Sequence, residues 1–174
     1  MVIDLSNVAQ GATKSEQGAL HGVALAQVLE LGAQSRSNAG ERLVAGSMKM
    51  DTSEPSVFRL LRERGYNPFV EELSADGRET RVDSWLHHQI LRFVRELSRT
   101  ARPGTNTLVL ATGDGNNHDG VTSFPKVVLE AVQRGFRVEV WAWMDICSKK
   151  FKELQRRFPS QVTLHDLRGA VSAA

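Results

Sequence analysis

The stretch TLVLA at Thr107–Ala111 constrains the fold more than any other part of this chain. Its apolar residues follow one another without alternation, as in a parallel strand covered on both faces. A parallel strand reaches its neighbour only through a long crossover, usually a helix, and the flanking sequence supplies strands and crossovers in turn. Met1–Leu5 predicts a first strand, and Arg42–Ala45, bounded by Gly40 and Gly46, a second. Asn67–Leu73 predicts a third, which Pro68 either weakens or puts at a sheet edge because proline offers no N–H to an inner ladder. Arg137–Trp143 alternates, and Gln161–Leu164 completes a set of six with Thr107–Ala111.

The intervening segments carry helical spacing. Ala19–Leu31 sets Leu20, Val23, Ala24, Ala26, Val28 and Leu31 near one face, with Gly32 as its stop. Ser53 is a candidate cap for a helix with Pro55 in its first turn, running to Arg64 and stopped by Gly65. Asp83–Ser98 places Trp85, Leu86, Ile90, Phe93, Val94 and Leu97 on an amphipathic helix. Phe124–Arg134 opens with Pro125 and stops at Gly135, and the basic stretch Ser148–Phe158 ends before Pro159. The polar segment Asn7–Gln17 reads as a loop. Strands alternating with helices predict an α/β fold, a mostly parallel sheet with helices on both faces.

A length of 174 residues suits a single domain over residues 1–168, with 169–174 as a flexible tail. Hydrophobic residues at 41% and charged residues at 24% are ordinary for a globular protein, and a net charge of +2 requires any nucleic-acid contact to come from a local patch. Cys147 is the single cysteine, so no internal disulfide forms; we read it as a small core-edge residue, and its solitude fits a reducing, cytoplasmic compartment. No run approaches the roughly 18 apolar residues of a membrane helix, so no membrane is expected. The N-terminus lacks the basic start of a signal peptide.

Ligands of such folds sit beyond the carboxyl ends of the strands, where strand order reverses. Acids stand at or near those ends: Asp4 in VIDLSN, Asp114 in LVLATGDGN, and Asp83 in TRVDSW. Each has a local explanation, since Asp4 and Asp114 can cap turns and Asp83 can be the N-cap of its helix. Together they suggest more. Converging carboxylates repel unless one is protonated or a cation lies between them. A hard cation such as Mg²⁺ prefers oxygen ligands, and a metal held by carboxylates can assist phosphodiester hydrolysis. Ser6, Asn7, Thr112, Asn116 and Asn117 offer neutral hydrogen bonds to a phosphate or a water, and Gly113, Gly115 and Gly120 permit close backbone approach.

Other chemistries are disfavoured. The chain has no Walker-type phosphate loop, no Gly-x-Gly-x-x-Gly after its first strand and no Cys/His spacing suited to zinc. An Asp-x-Ser-x-Ser metal loop is broken by Val8.

IDLSN at 3–7, Val82–Asp83, LVLATGDGN at 108–116 and SFPKVVLEAVQRGFRVEVWAW at 123–143 together resemble the NYN domains of the PIN-like nuclease superfamily, over nearly the whole chain to at least Trp143. The resemblance implies a three-layer α/β/α sandwich, PIN-like and Rossmann-like. It also implies an acidic site that binds Mg²⁺ or Mn²⁺ and cleaves RNA. Asp4 matches the family's first-strand acid, Asn7 the asparagine after it, Asp83 the acid opening the third helix and Asp114 the acid after the fourth strand. Where many members carry a second aspartate two residues on, this chain has Asn116; Asp119, three residues later, supplies a carboxylate if the loop folds back. The expectation is therefore a metal-dependent endoribonuclease. Asp4, Asp83, Asp114 and Asp119 are its catalytic acids, and the first three hold the metal. Asn116 raises the alternative of a non-catalytic RNA-binding or protein-interaction module. Homo-oligomers and additional domains in a longer parent both stay open.

The basic cluster Lys149, Lys150, Lys152, Arg156 and Arg157 reads first as a solvated helix face, and alternatively as a seat for the RNA backbone, with Lys149 and Lys150 nearest the site. Lys14, Lys49, Arg78 and Arg81 fall in loops expected near the same end. Glu79, four residues before Asp83, reads as a solvated loop charge, with a place beside the site as its alternative. His118 reads as a surface residue, at least one of His87 and His88 as plain surface, and His165 as structural. Trp141 and Trp143 read as core, with one partly exposed at the strand end as a candidate for base stacking.

Overall fold

The computed structural model describes residues 1–14, 30, 40–48, 56–74, 79, 81–115 and 122–168, with the backbone alone for 10–14 and 56. Six strands form one sheet: β1 (Val2–Asp4), β2 (Leu43–Met48), β3 (Asn67–Glu72), β4 (Thr107–Ala111), β5 (Arg137–Ala142) and β6 (Val162–Asp166). Every neighbouring pair is parallel. The order is β3-β2-β1-β4-β5-β6. The chain builds outward from β1 to β3, then crosses to the other side of β1 for β4 and builds outward again. Strand order thus reverses between β1 and β4, where Val2 pairs with Leu110 and Ile3 with Ala111.

The uninterrupted apolar run of β4 has the consequence expected of it. Leu108 and Leu110 enter one core with Val2, Leu43, Ala45, Val138 and Val140. Val109 and Ala111 enter a second core, on the opposite face, with Ile3 and Val44. The first is covered by α3 (Val82–Leu97), α4 (Phe124–Gln133) and α5 (Lys149–Arg157), which contribute among others Leu86, Ile90, Val128 and Phe151. The second is covered by α1 (Leu5–Lys14) and α2 (Ser56–Glu63), through Leu5, Val8, Phe58 and Leu61. Two cores on one sheet make a three-layer sandwich, and each of these side chains stabilises it by about 1.5–3 kcal/mol. Among the described residues no helix is long and apolar enough to cross a membrane.

The structure differs from the sequence reading in places. The expected loop Asn7–Gln17 is helical through Lys14. Its polar composition hides a short apolar face, Leu5 and Val8, that packs into the second core. β2 does not stop before Gly46 but runs through it to Met48. The glycine there serves packing rather than a turn: a Cβ at Gly46 would lie 3.0 Å from Phe58 Cζ and 3.3 Å from Ser6 Oγ. β3 forms and lies at the edge, the second of the two outcomes that Pro68 left open. α4 and α5 begin after Ser123 and Ser148 as expected, with Pro125 in the first turn of α4 and a positive φ at Gly135 behind it. Of the expected helix 19–31, Glu30 alone is described; it is helical and pairs with Arg42 at 3.4 Å and Arg64 at 2.5 Å. Ser53, Pro55 and the tail 169–174 lie outside the described residues.

Because the buried Phe58 and the Ser6 hydroxyl would both have to give way to a Cβ at this position, Gly46→Ala is expected to destabilise the fold by about 1–3 kcal/mol, the cost of overpacking a filled core. Urea melts of the two proteins measure it, and equal midpoints would contradict the packing role.

Candidate functional site

β1 ends at Asp4 and α1 begins at Leu5, with no connecting residue. Asp4 Oδ1 accepts the Asn7 N–H at 3.1 Å, the hydrogen bond of a helix N-cap. Its Oδ2 accepts the Thr112 hydroxyl at 2.8 Å, from the first residue past β4. Both oxygens are therefore engaged, and the side chain bridges the strands on either side of the switch point. Thr112 in turn accepts the Asp114 N–H on its own Oγ1 at 3.2 Å. Asn7 Oδ1 accepts the Gly113 N–H at 2.8 Å. The start of α1 and the loop after β4 are thus laced together by residues that the sequence nominated for ligand binding.

Asp4 is 1% exposed. Burial pushes its carboxyl up to about 8; the charge of Asp83 pushes the same way and that of Glu79 more weakly, against the opposing hydrogen bonds from Thr112 and Asn7. Asp83 comes from the first turn of α3 and is half-buried. It is not the N-cap of that helix, a position held by Arg81. Glu79 was expected in solvent, but its Oε2 accepts the Ser6 hydroxyl at 2.6 Å, and Ser6 Oγ accepts the Ser47 N–H from β2 at 3.1 Å. The signal for it was positional: an acid between the carboxyl end of β3 and the start of α3 lies at the ligand-binding edge. Asp114 is half-buried, and its link to Asp4 runs through Thr112. The acids nearest to Asp4 in electrostatic effect are Asp83 and Glu79, rather than Asp114.

The loop after β4 is also held from α5. Ser148 N–H donates to the Gly113 carbonyl at 3.1 Å, and Lys150 Nζ donates to the Gly115 carbonyl at 2.7 Å. Gly115 sits so close that a Cβ would lie 1.9 Å from Ser148 Oγ. Lys149, Lys152, Arg156 and Arg157 are exposed on the same helix, and Arg81 is exposed at the start of α3. Asn116, Asn117, His118, Asp119, Gly120, Lys49 and Arg78, and the side chain of Lys14, lie outside the described residues.

The remaining described candidates divide between core and surface. Trp143 is buried and its indole N–H donates to the Val8 carbonyl at 2.9 Å. Trp141 is half-buried and stacks on His165, with centroids 4.3 Å apart. His87 is buried edge-on against Phe124, whereas His88 is exposed. Cys147 is buried, as a core-edge residue should be.

Among the described residues no group of three or more His, Cys, Asp and Glu side chains closes into a cage for a metal ion. The donors gathered here are nonetheless oxygens throughout, the kind a hard cation takes, and Mg²⁺ commonly binds through one or two carboxylates while keeping several waters. The donor chemistry fits Mg²⁺ or Mn²⁺ in that open manner. Comparison with protein-family models, curated proteins and solved structures finds no match.

A carboxyl raised on folding makes stability fall with pH. The unfolded chain releases the Asp4 proton near its ordinary 3.8 and the folded chain near 8, so the stabilising difference present below the first value is lost progressively up to the second. Asp4→Asn removes that dependence. In metal-free buffer the variant is expected to match the parent near pH 4 and to exceed it by several kcal/mol at pH 8, at about 1.4 kcal/mol per pH unit. Thermal melts across this range decide it; parallel pH profiles for the two proteins would sink the assignment.

Proposed function

We propose that the chain is a metal-dependent endoribonuclease of the NYN type, acting in the cytoplasm with Mg²⁺ or Mn²⁺ on RNA at the carboxyl edge of its sheet. The observation that carries this reading is the gathering of like charge at the switch point, where the buried Asp4 feels both Asp83 and Glu79. Such an arrangement costs stability, and strongly perturbed carboxyls with identifiable charged neighbours cluster at functional sites. The β1–α1 junction favours the same reading: with no connecting residue, and with the Asn7 N–H taken by Asp4, it lacks the open glycine-rich phosphate cradle of a nucleotide-binding fold.

On this reading Asp4 and Asp83 hold the cation, with Glu79 and Asp114 as further carboxylates at the rim. The cation, when bound, polarises the phosphodiester and activates water. Thr112 and Asn7 fix the orientation of Asp4 and tie it to the loop after β4. Ser6 orients Glu79. Lys149 and Lys150 lie on the side of Asp114 and Gly115, and Arg81 on the side of Asp83; these cations bind RNA phosphates and carry no sequence information.

A second reading, the non-catalytic RNA-binding or protein-interaction module, is favoured by one observation. Both oxygens of Asp4 already accept hydrogen bonds from within the fold, as suits a neutral structural carboxyl.

Labelled RNA incubated with the purified protein and Mn²⁺ separates the two. Cleavage abolished by EDTA is expected, and Asp83→Asn is expected to slow it at least a hundredfold, about 2.7 kcal/mol of transition-state stabilisation, with its melting temperature preserved. RNA retained but uncut would favour the binding module. A second readout is independent of catalysis: Mn²⁺ should raise the parent's melting temperature at pH 8, since a ligand specific to the folded state stabilises it.

A further inference from the structure

We infer that Glu71 is a positioning residue for the site: it fixes the start of α3 against the sheet and so sets where Asp83 stands. The inference rests on the reading of Asp83 as a site carboxylate.

Glu71 is the penultimate residue of β3, paired in register with Ser47 of β2, and is 2% exposed. Its Oε2 accepts the Arg81 N–H at 2.8 Å and the Val82 N–H at 3.2 Å. Its Oε1 accepts Arg81 Nε at 3.2 Å. A helix leaves its first N–H groups without intrahelical partners. Arg81 occupies the N-cap position of α3 but makes no side-chain cap bond. The capping anion is supplied instead by a neighbouring strand, and its charge faces the positive end of the α3 dipole. A buried carboxylate is tolerated when it is fully hydrogen-bonded, and Glu71 has three such bonds.

Asp83 follows Val82 directly, so the anchored amides lie one and two residues from the site carboxylate. An N-cap provided from within the same chain segment would stabilise α3 while leaving it able to slide over the sheet. A cap provided by β3 ties the first turn to the strand register itself. The same register carries Ser47, which bonds Ser6 and, through it, Glu79. Asp83 and Glu79 thus take their positions from facing residues of adjacent strands, Glu71 and Ser47. Residues that orient metal-site carboxylates without touching the metal typically change metal affinity 10–100-fold when removed.

Mn²⁺ titration, followed by the paramagnetic signal of the free ion, tests this on the full chain. Glu71→Ala is expected to weaken Mn²⁺ binding by roughly 10–100-fold. Glu71→Gln keeps a carbonyl oxygen for the helix amides and should recover most of the affinity. Val132→Ala, a core truncation on α4 remote from the site, serves as the stability control; it should lower the melting temperature without weakening Mn²⁺ binding. If Glu71→Ala does not fold, Glu71→Asp, whose carboxylate stops one methylene short of the amides, takes its place against Glu71→Gln. Parental affinity in Glu71→Ala or Glu71→Asp, or an equal loss in Val132→Ala, overturns the positioning role while the metal site stands. No Mn²⁺ binding by the parent overturns the metal reading itself, and this inference with it.

Discussion

The carboxyl group of Asp4 is the interaction on which the rest of the site depends. One oxygen closes the first turn of α1 through Asn7, and the other receives the hydroxyl of Thr112 from the far side of the strand-order reversal. The second bond joins the two halves of the sheet at the seam between β1 and β4. Both bonds form in a place where the carboxyl is stripped of water and faces Asp83 and Glu79. The same group is thus a structural tie and an electrostatic liability. Stability alone would favour an asparagine at this position at neutral pH.

Charge is sorted along the carboxyl edge. The acids stand near the switch point, at the end of β1, on the approach to α3 and after β4. The cations stand on α5 and at the start of α3. Lys150 joins the two sets by holding the Gly115 carbonyl, so the basic helix and the acidic loop are in direct contact. An anionic polymer laid across this edge would meet attraction at both flanks and repulsion in the middle, a pattern that a divalent cation would make attractive throughout.

Much of the architecture was legible in the sequence because parallel strands buried on both faces leave no alternative for a run such as Leu108–Ala111. Pro68, through its missing N–H, left a weakened strand or an edge strand as the choices, and strand order decided for the edge. Helix α1 was not legible, since among its described side chains the inward face is Leu5 and Val8, followed by a polar stretch that includes Gly11, too little for periodicity to register. Asp4 and Thr112 could be nominated from their places at strand ends. Their mutual bond could not, because it depends on which strands become neighbours, and strand order is not written in local pattern. Glu79 was underrated for the same reason: a charge in a connection looks solvated until the fold shows which edge the connection crosses. Glu71 was hidden more deeply. As a charged residue near the end of an edge strand it resembles any solubilising surface acid, and its burial arises only when α3 settles over it.

The bond between Thr112 and Asp4 spans 108 positions of sequence. Long closures of this kind are entropically unfavourable and tend to form late in folding. Until β4 is made, Asp4 lacks the Thr112 hydroxyl and the strand that flanks it on the far side of the switch point. The tie between Asp4 and Thr112 closes only when β4 docks and joins the cores on both faces of the sheet. One hydroxyl thus fastens the first strand of the chain to a loop made more than a hundred residues later.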